Sequence, residues 1–239
     1  MSQAQPGTSS AAFLQSVLAK RPAIAVFDCD GTLWSGDAGA DFFEYEIARG
    51  LLPKRVVDWV VPRYQDYKQG RVDEYTMCAE MVTIHDGIPV VKIREVAAAF
   101  FAEVVESRIF AEMRDLCRQL TAQGTELWAV SSTNDWVVEE GVKRFGIAPE
   151  RVLAACTTRN GEIATGQIVR VPTDEHKAIA IREVIRRPVD AVFGNSAHDF
   201  AMLEIARTPY AINPNPDLEE TAKKLGWNIY WPEAVARKS

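Results

Sequence analysis

Cysteine is scarce in this chain of 239 residues, which has four: Cys29, Cys78, Cys117 and Cys156. Their intervals match no metal-ligand pattern, and so few in this length do not make a disulfide framework. Cys78 and Cys117 fall on apolar helical faces, which fits buried thiols in a reduced compartment. Histidine is scarcer still: His85, His176 and His198 are the three. Nothing in their spacing asks for ligands, and surface positions are expected for all of them. No apolar run is long enough to cross a bilayer, and the first twenty residues lack the basic start and apolar stretch of a secretory leader. No membrane partner and a cytoplasmic location are therefore expected. A basic excess is missing too. The 27 Lys and Arg against 33 Asp and Glu leave a net charge of −6, so no nucleic-acid partner is expected, because neutralising phosphates needs a basic footprint. One positive pocket for a small anion can still sit in such a surface. What remains is globular in character, 47% hydrophobic and 25% charged. The length suits one large domain, or a core with an insertion.

The apolar pattern separates two kinds of segment. Residues 23–27 (AIAVF) form a continuous apolar run, as expected of a strand covered on both faces of a parallel sheet. Similar runs lie at 126–130, 152–155 and 189–193. Helical spacing marks 11–20, ended by Pro22, then 110–123, 134–145 and 174–186. Strands alternating with helices predict an α/β fold with a doubly wound parallel sheet. Asn160-Gly161 reads as a hairpin turn appended to it. Residues 37–108 break the alternation and read as four helices, over 37–48, 53–68 (kinked by Pro62), 73–85 and 91–108. The expected division is a core of residues 11–36 and 109–239 interrupted by an all-helical cap, 37–108. Residues 1–10 are small and polar, and are expected to be disordered.

The sharpest chemical signal is Phe27-Asp28-Cys29-Asp30-Gly31-Thr32-Leu33, directly after the first buried run. Residues two apart on an extended chain share a side, so Asp28 and Asp30 can face one crevice while Cys29 turns away. Two carboxylates so close repel unless a cation or a proton lies between them. A hard, oxygen-seeking ion such as Mg²⁺ beside a nucleophile and an acid suits the pair.

On this motif the sequence resembles the haloacid dehalogenase superfamily, and three further stretches extend the resemblance over about residues 23–213. Ser131 ends the 126–130 run and matches the family's Ser or Thr. Lys177 begins a helix and matches its lysine. Gly194-Asn195-Ser196-Ala197-His198-Asp199 matches its Gly-Asp-x-x-x-Asp, with an amide in place of the first acid. The resemblance implies a Rossmann-like core and phosphoryl transfer, because the dehalogenating members lack the acid at the position of Asp30. It makes Asp28 the nucleophile and Asp30 the general acid and base. Ser131 and Lys177 steady the phosphoryl charge, and Mg²⁺ is bound by Asp28, Asp30, Asn195 and Asp199. Asn195 still offers a carbonyl oxygen, at the loss of one negative charge, so weaker metal binding is expected. Asp199 also reads as half of a capping box with Ser196.

The implied activity is a Mg-dependent phosphomonoesterase acting on a small-molecule phosphate ester through an aspartyl-phosphate. A phosphotransferase using the same intermediate, or a member weakened through Asn195, are the alternatives. Receiver domains also gather Asp, Ser or Thr and Lys around a phosphorylated aspartate, but they are about half this length and lack the inserted helices. The arrangement most resembles the phosphoserine phosphatase-like group, with substrate contacts expected at Asp37, Ser132 and Trp34. Asp37 stands where that group contacts the substrate ammonium, and equally where a helix N-cap belongs. The arginine that grips the serine carboxylate has no counterpart in residues 76–83. That favours a cationic ester without a carboxylate, such as phosphocholine or phosphoethanolamine, with aromatic rings for cation–π contact.

Overall fold

The computed structural model describes residues 9–235. The expectation of disorder over residues 1–10 thus falls mostly outside the described residues. Ser9 accepts the Ala12 N–H and caps α1 (Ser10–Leu18). The core continues with β1 (Ile24–Phe27), α6 (Ala111–Ala122), β2 (Glu126–Asn134), α7 (Asp135–Val142), β3 (Val152–Asn160) and β4 (Ile163–Arg170). It closes with α8 (Glu175–Ile185), β5 (Ala191–Gly194), α9 (Phe200–Glu204), β6 (Thr208–Ile212), α10 (Pro216–Leu225) and β7 (Asn228–Tyr230). The seven strands form one sheet in the order β4-β3-β2-β1-β5-β6-β7, parallel except for β4, which runs antiparallel to β3. From β1 the chain winds outward through β2 and β3 on one side and through β5, β6 and β7 on the other. The carboxyl end of β1 is therefore the topological switch point, where open α/β sheets bind ligands.

The unbroken apolar sequence of β1 is explained by what covers it. Ala25 and Phe27 join the core on one face, with α1, α6 and α7, while Ile24 and Val26 join the core of α8, α9 and α10 on the other. On the first face Phe27, Phe193 and Tyr210 stack ring on ring across three adjacent strands, with centroids 4.4 and 4.7 Å apart.

Between β1 and α6 lie α2 (Ala38–Ala48), α3 (Lys54–Lys68), α4 (Glu74–Thr83) and α5 (Val90–Phe100), with no strand of their own. Asp37 and Asp73 cap α2 and α4 through their carboxylates. Pro62 lies inside α3 without ending it. Beyond α5 the chain continues as a π-helical turn, Phe101–Val105, and a 3-10 turn, Glu106–Arg108. The two chain crossings to the core pair with each other: Ser35 N–H donates to the Arg108 carbonyl and Phe110 N–H to that of Leu33, both at 3.0 Å. A second tie joins residues 87–90 to strand β4. Gly87 N–H reaches the Ala164 carbonyl, Ala164 N–H that of Ile88, and Val90 N–H that of Glu162, at 2.8–3.0 Å.

One surface expectation is overturned here. His85 is completely buried, its Nε2 lying 2.7 Å from Oε2 of Glu46, which is 1% exposed, while its Nδ1 faces the Val82 carbonyl. The partner lies 39 residues earlier, on α2. Among the described residues no helix is long and apolar enough to cross a membrane.

Candidate active site

The Asp-x-Asp-Gly stretch leaves the end of β1 at the switch point. Asp28 N–H continues the ladder to the Phe193 carbonyl on β5. The Asp28 carboxyl is buried between two donors: Thr32 Oγ1 reaches Oδ2 at 2.9 Å and Lys177 Nζ reaches Oδ1 at 2.7 Å. Burial raises the Asp28 pKa to about 7, helped by the charge of Asp199 and opposed by Lys177. Lys177, in the first turn of α8, also donates to Oδ1 of Asp199 at 2.5 Å. Burial works against its ammonium, but Asp199 and Asp28 outweigh that and hold its proton more tightly than usual.

Asp30 is gripped on both oxygens. Oδ1 accepts from Trp34 Nε1 and Ala38 N–H, and Oδ2 from Thr133 Oγ1, each at 2.7 Å. Burial pushes its pKa up, and these three donors pull it back. Gly31 follows with φ +74°, and a Cβ on it would run into the side chain of Asn195. Glycine is thus required there both by the left-handed backbone and by the approach of Asn195.

The crevice at this edge is lined by Asp28, Asp30, Asp37, Ser132, Thr133, Lys177 and Asn195, with Tyr64, Tyr67, Glu74, Met77, Cys78 and Met81 on the helical side. Sequence-predicted residues from five separate segments therefore meet in one place. Three of them sit differently from expectation. Trp34 is fully buried, set edge-on to Phe101 with centroids 5.3 Å apart, and spends its N–H on Asp30. It offers no face to a substrate. Ser131 is 1% exposed and lies beneath the crevice, its Oγ accepting the Thr133 N–H at 3.2 Å. Asp199 is also enclosed: Oδ2 accepts from Asn195 N–H and Ser196 N–H at 2.8 and 3.0 Å, while Oδ1 faces Lys177. These contacts orient the 195–196 loop and the lysine. Asp37 is the N-cap of α2, Oδ1 accepting the Ala40 N–H at 2.9 Å, and the residue also lines the crevice. Surrounding protein raises its pKa to about 6, first by desolvation and then through the charge of Asp30.

Sequence reasoning missed Thr133, Thr32 and the two asparagines that brace the loops: Asn213 Nδ2 donates to the Gly31 carbonyl and Asn215 N–H to that of Asn195. For Thr133 a signal existed, since it lies two residues beyond Ser131 on one extended strand.

The donor set fits a magnesium ion. Asp28 supplies a carboxylate whose pKa burial raises, helped by the negative charge of Asp199. Asp30 has a main-chain carbonyl, and Asn195, which lines the crevice, has an amide oxygen. Among the described residues no group of three His, Cys, Asp or Glu side chains forms a cage. Mg²⁺ sites built from one or two carboxylates and completed by water and phosphate need none.

Comparison with known proteins agrees with this geometry. The chain is 24% identical over 216 residues to a histidinol-phosphatase of Neisseria meningitidis serogroup C, covering 86% of this chain and 97% of that one. It is 23% identical over 219 residues to a phosphoserine phosphatase of Mycobacterium tuberculosis, covering 87% and 70%. A Bordetella pertussis protein of unknown function superposes with a TM-score of 0.73 at 22% identity, over 87% of this chain and 97% of its own. A substrate-bound phosphoserine phosphatase superposes with a TM-score of 0.58 at 15% identity, over 87% and 92%. The sequence pattern of the haloacid dehalogenase-like hydrolases matches residues 25–204, well over half of the chain. By that match, and by a fold and crevice that agree with it, the chain belongs to the haloacid dehalogenase-like hydrolases.

Proposed function

We propose that this protein is a magnesium-dependent phosphomonoesterase, carrying the phosphoryl group on Asp28 and acting on a small ester with a cationic leaving group. The observation that carries the reading is the buried Asp28 carboxyl at the switch point, fixed by Lys177 and Thr32, with the Asp30 carboxyl two residues on. An oxygen of Asp28 attacks phosphorus in line, and the bond to the leaving oxygen breaks as Asp30 protonates that oxygen. Water then attacks the phosphoryl group, Asp30 takes its proton, and the Asp28 carboxylate is restored. Lys177 offsets negative charge on the transferring group throughout. Magnesium, held by Asp28, the Asp30 carbonyl and Asn195, supplies the positive charge that lets an anionic ester approach three acids. Residues 37–108 act as the cap that encloses the leaving group.

The wall facing the phosphate end supports the cationic leaving group. Its crevice holds about 120 Å³, below the 300–1,000 Å³ of drug-sized sites, so the substrate is small. Asp37 and Glu74 place two carboxylates there beside the rings of Tyr64 and Tyr67, and the cap side contributes no Lys or Arg. A nearby cap arginine, Arg63, is held by Glu80 at 2.6 Å and does not line the crevice. An ester bearing a carboxylate meets repulsion here, whereas an ammonium or imidazolium is received by the two acids. The histidinol-phosphatase among the relatives is consistent with such an ester.

The test is phosphate release from p-nitrophenyl phosphate with and without Mg²⁺, using the native chain and Asp28→Asn. Metal-dependent turnover that Asp28→Asn abolishes supports the reading; turnover retained in that variant removes Asp28 as nucleophile. Histidinol phosphate, phosphocholine and phosphoethanolamine are then compared with phosphoserine and sugar phosphates. Higher kcat/KM for the anionic esters overturns the cationic substrate.

A further inference from the structure

Thr133 is part of no motif that the resemblance supplies, yet its hydroxyl rests on the carboxyl assigned to the leaving-group proton. The two oxygens of Asp30 are not equivalent. Oδ1 faces two nitrogen donors, Trp34 Nε1 and Ala38 N–H, both at 2.7 Å. Neither can accept, so a proton placed on Oδ1 would point at other hydrogens. The transferable proton therefore travels on Oδ2, whose partner among the described residues is Thr133 Oγ1 at 2.7 Å. A hydroxyl alone among these three partners can reverse, donating to a carboxylate and accepting from a carboxylic acid.

Thr133 is itself held in place. It is 6% exposed, its branched Cβ limits χ1, and its N–H is tied to Ser131 Oγ. Gly39 of α2 closes over it so tightly that a Cβ there would stand 2.7 Å from the threonine oxygen.

We infer that Thr133 is a positioning residue for proton transfer, aiming Oδ2 of Asp30 at the leaving oxygen. This rests on the assignment of Asp30 as general acid and base made above. As the phosphorus–oxygen bond breaks, its electron pair stays on the leaving oxygen, which takes the proton from Oδ2. The new Asp30 carboxylate is received at once by Trp34, Ala38 and Thr133. In the second half the attacking water gives a proton to Oδ2 as its oxygen bonds to phosphorus, and the bond to Asp28 returns its electron pair to that carboxylate.

The experiment uses the full chain with Mg²⁺ and reads the first-turnover burst of released phenol or alcohol, which isolates the first step. Two leaving groups are compared, p-nitrophenolate, which departs without a proton, and the alkoxide of phosphoethanolamine, which needs one. Thr133→Val is expected to slow the alkyl burst by about 10–100-fold, part of the 10²–10⁴ that general acid catalysis supplies. Its half-saturating ester concentration stays within about twofold, and the p-nitrophenyl burst falls by no more than about threefold. Thr133→Ser, which keeps the hydroxyl, restores the alkyl burst to within about threefold of native. Equal losses on both esters, or no loss, or no recovery with serine, overturn the inference. If Thr133→Val melts well below the native protein, Thr133→Ser against Thr133→Ala carries the same comparison. Failure of the underlying reading has a different signature, namely an alkyl burst that Asp30→Asn leaves unchanged.

Discussion

The buried pair Glu46–His85 ties α2 to the end of α4, and its removal has a calculable effect. Both groups are essentially inaccessible, at 1% and 0% exposure. Glu46→Ala leaves His85 Nε2 without its partner at 2.7 Å, and breaking a buried charged pair from one side costs about 3–5 kcal/mol. The pH dependence has a definite sign. Burial raises the pKa of Glu46 above its ordinary value, with His85 pulling it down. Burial lowers that of His85, but the charge and hydrogen bond of Glu46 outweigh it and hold it above its ordinary value. The folded protein thus keeps protons that the unfolded chain releases, so this contribution is full at acid pH and is lost as pH rises. Above the unfolded histidine value near 6.5, the His85 proton alone gives a slope of up to about 1.4 kcal/mol per pH unit. Urea unfolding of native protein and Glu46→Gln at pH 6, 7, 8 and 9 measures it. Other titrating groups contribute equally to both proteins, so their difference isolates the pair. It should be largest at pH 6 and shrink toward pH 9. A difference that does not change with pH, or a Glu46→Ala loss below about 1 kcal/mol, refutes the reasoning.

Three further outcomes follow from the site. Asn195→Asp adds a charge beside the magnesium donors, and at protein-like dielectric that is worth more than about 1.4 kcal/mol. The Mg²⁺ concentration for half-maximal activity should fall at least about tenfold, and a titration showing no fall counts against Asn195 as a ligand. Gly31→Ala must hold φ +74° and push its Cβ into Asn195, which should lower stability by about 1–3 kcal/mol and remove most turnover. A native melting temperature and rate would contradict this. Lys177→Met leaves Asp28 and Asp199 buried without their shared cation, and should destabilise by about 3–5 kcal/mol in a denaturant titration as well as abolishing activity. An unchanged midpoint would mean that the lysine neutralises neither acid.

Much of the core was legible because burial on two faces leaves an unmistakable run such as residues 23–27, and because glycine or proline punctuates the helices. β6 and β7 escaped notice. Pro209 interrupts the β6 pattern, and β7 is a three-residue edge strand, Asn228–Tyr230. At the site, Asp28, Asp30 and Lys177 were visible as residue types at element ends, and the structure brings them together. The roles of Trp34 and His85 were not visible, because each depends on neighbours that only the folded chain supplies. Trp34 is wedged against Phe101, 67 positions later, and His85 finds its carboxylate on another helix. Ser131 and Thr133 show the same limit at short range. The alternation puts both on one side, but which hydroxyl meets Asp30 depends on how β2 continues to Asn134.

The tie between residues 87–90 and β4 has a mechanical consequence. A lid fastened only by its two crossings could swing like a door. The cap proposed for residues 37–108 is tied at a third point, to the outermost ribbon of the sheet. Opening by a wide swing must either carry that ribbon along or break these amide bridges, together with the one from Gly166 N–H to Asp86 Oδ1. The same bridges also occupy the first residues of a sheet margin that would otherwise be free to recruit strands from other molecules.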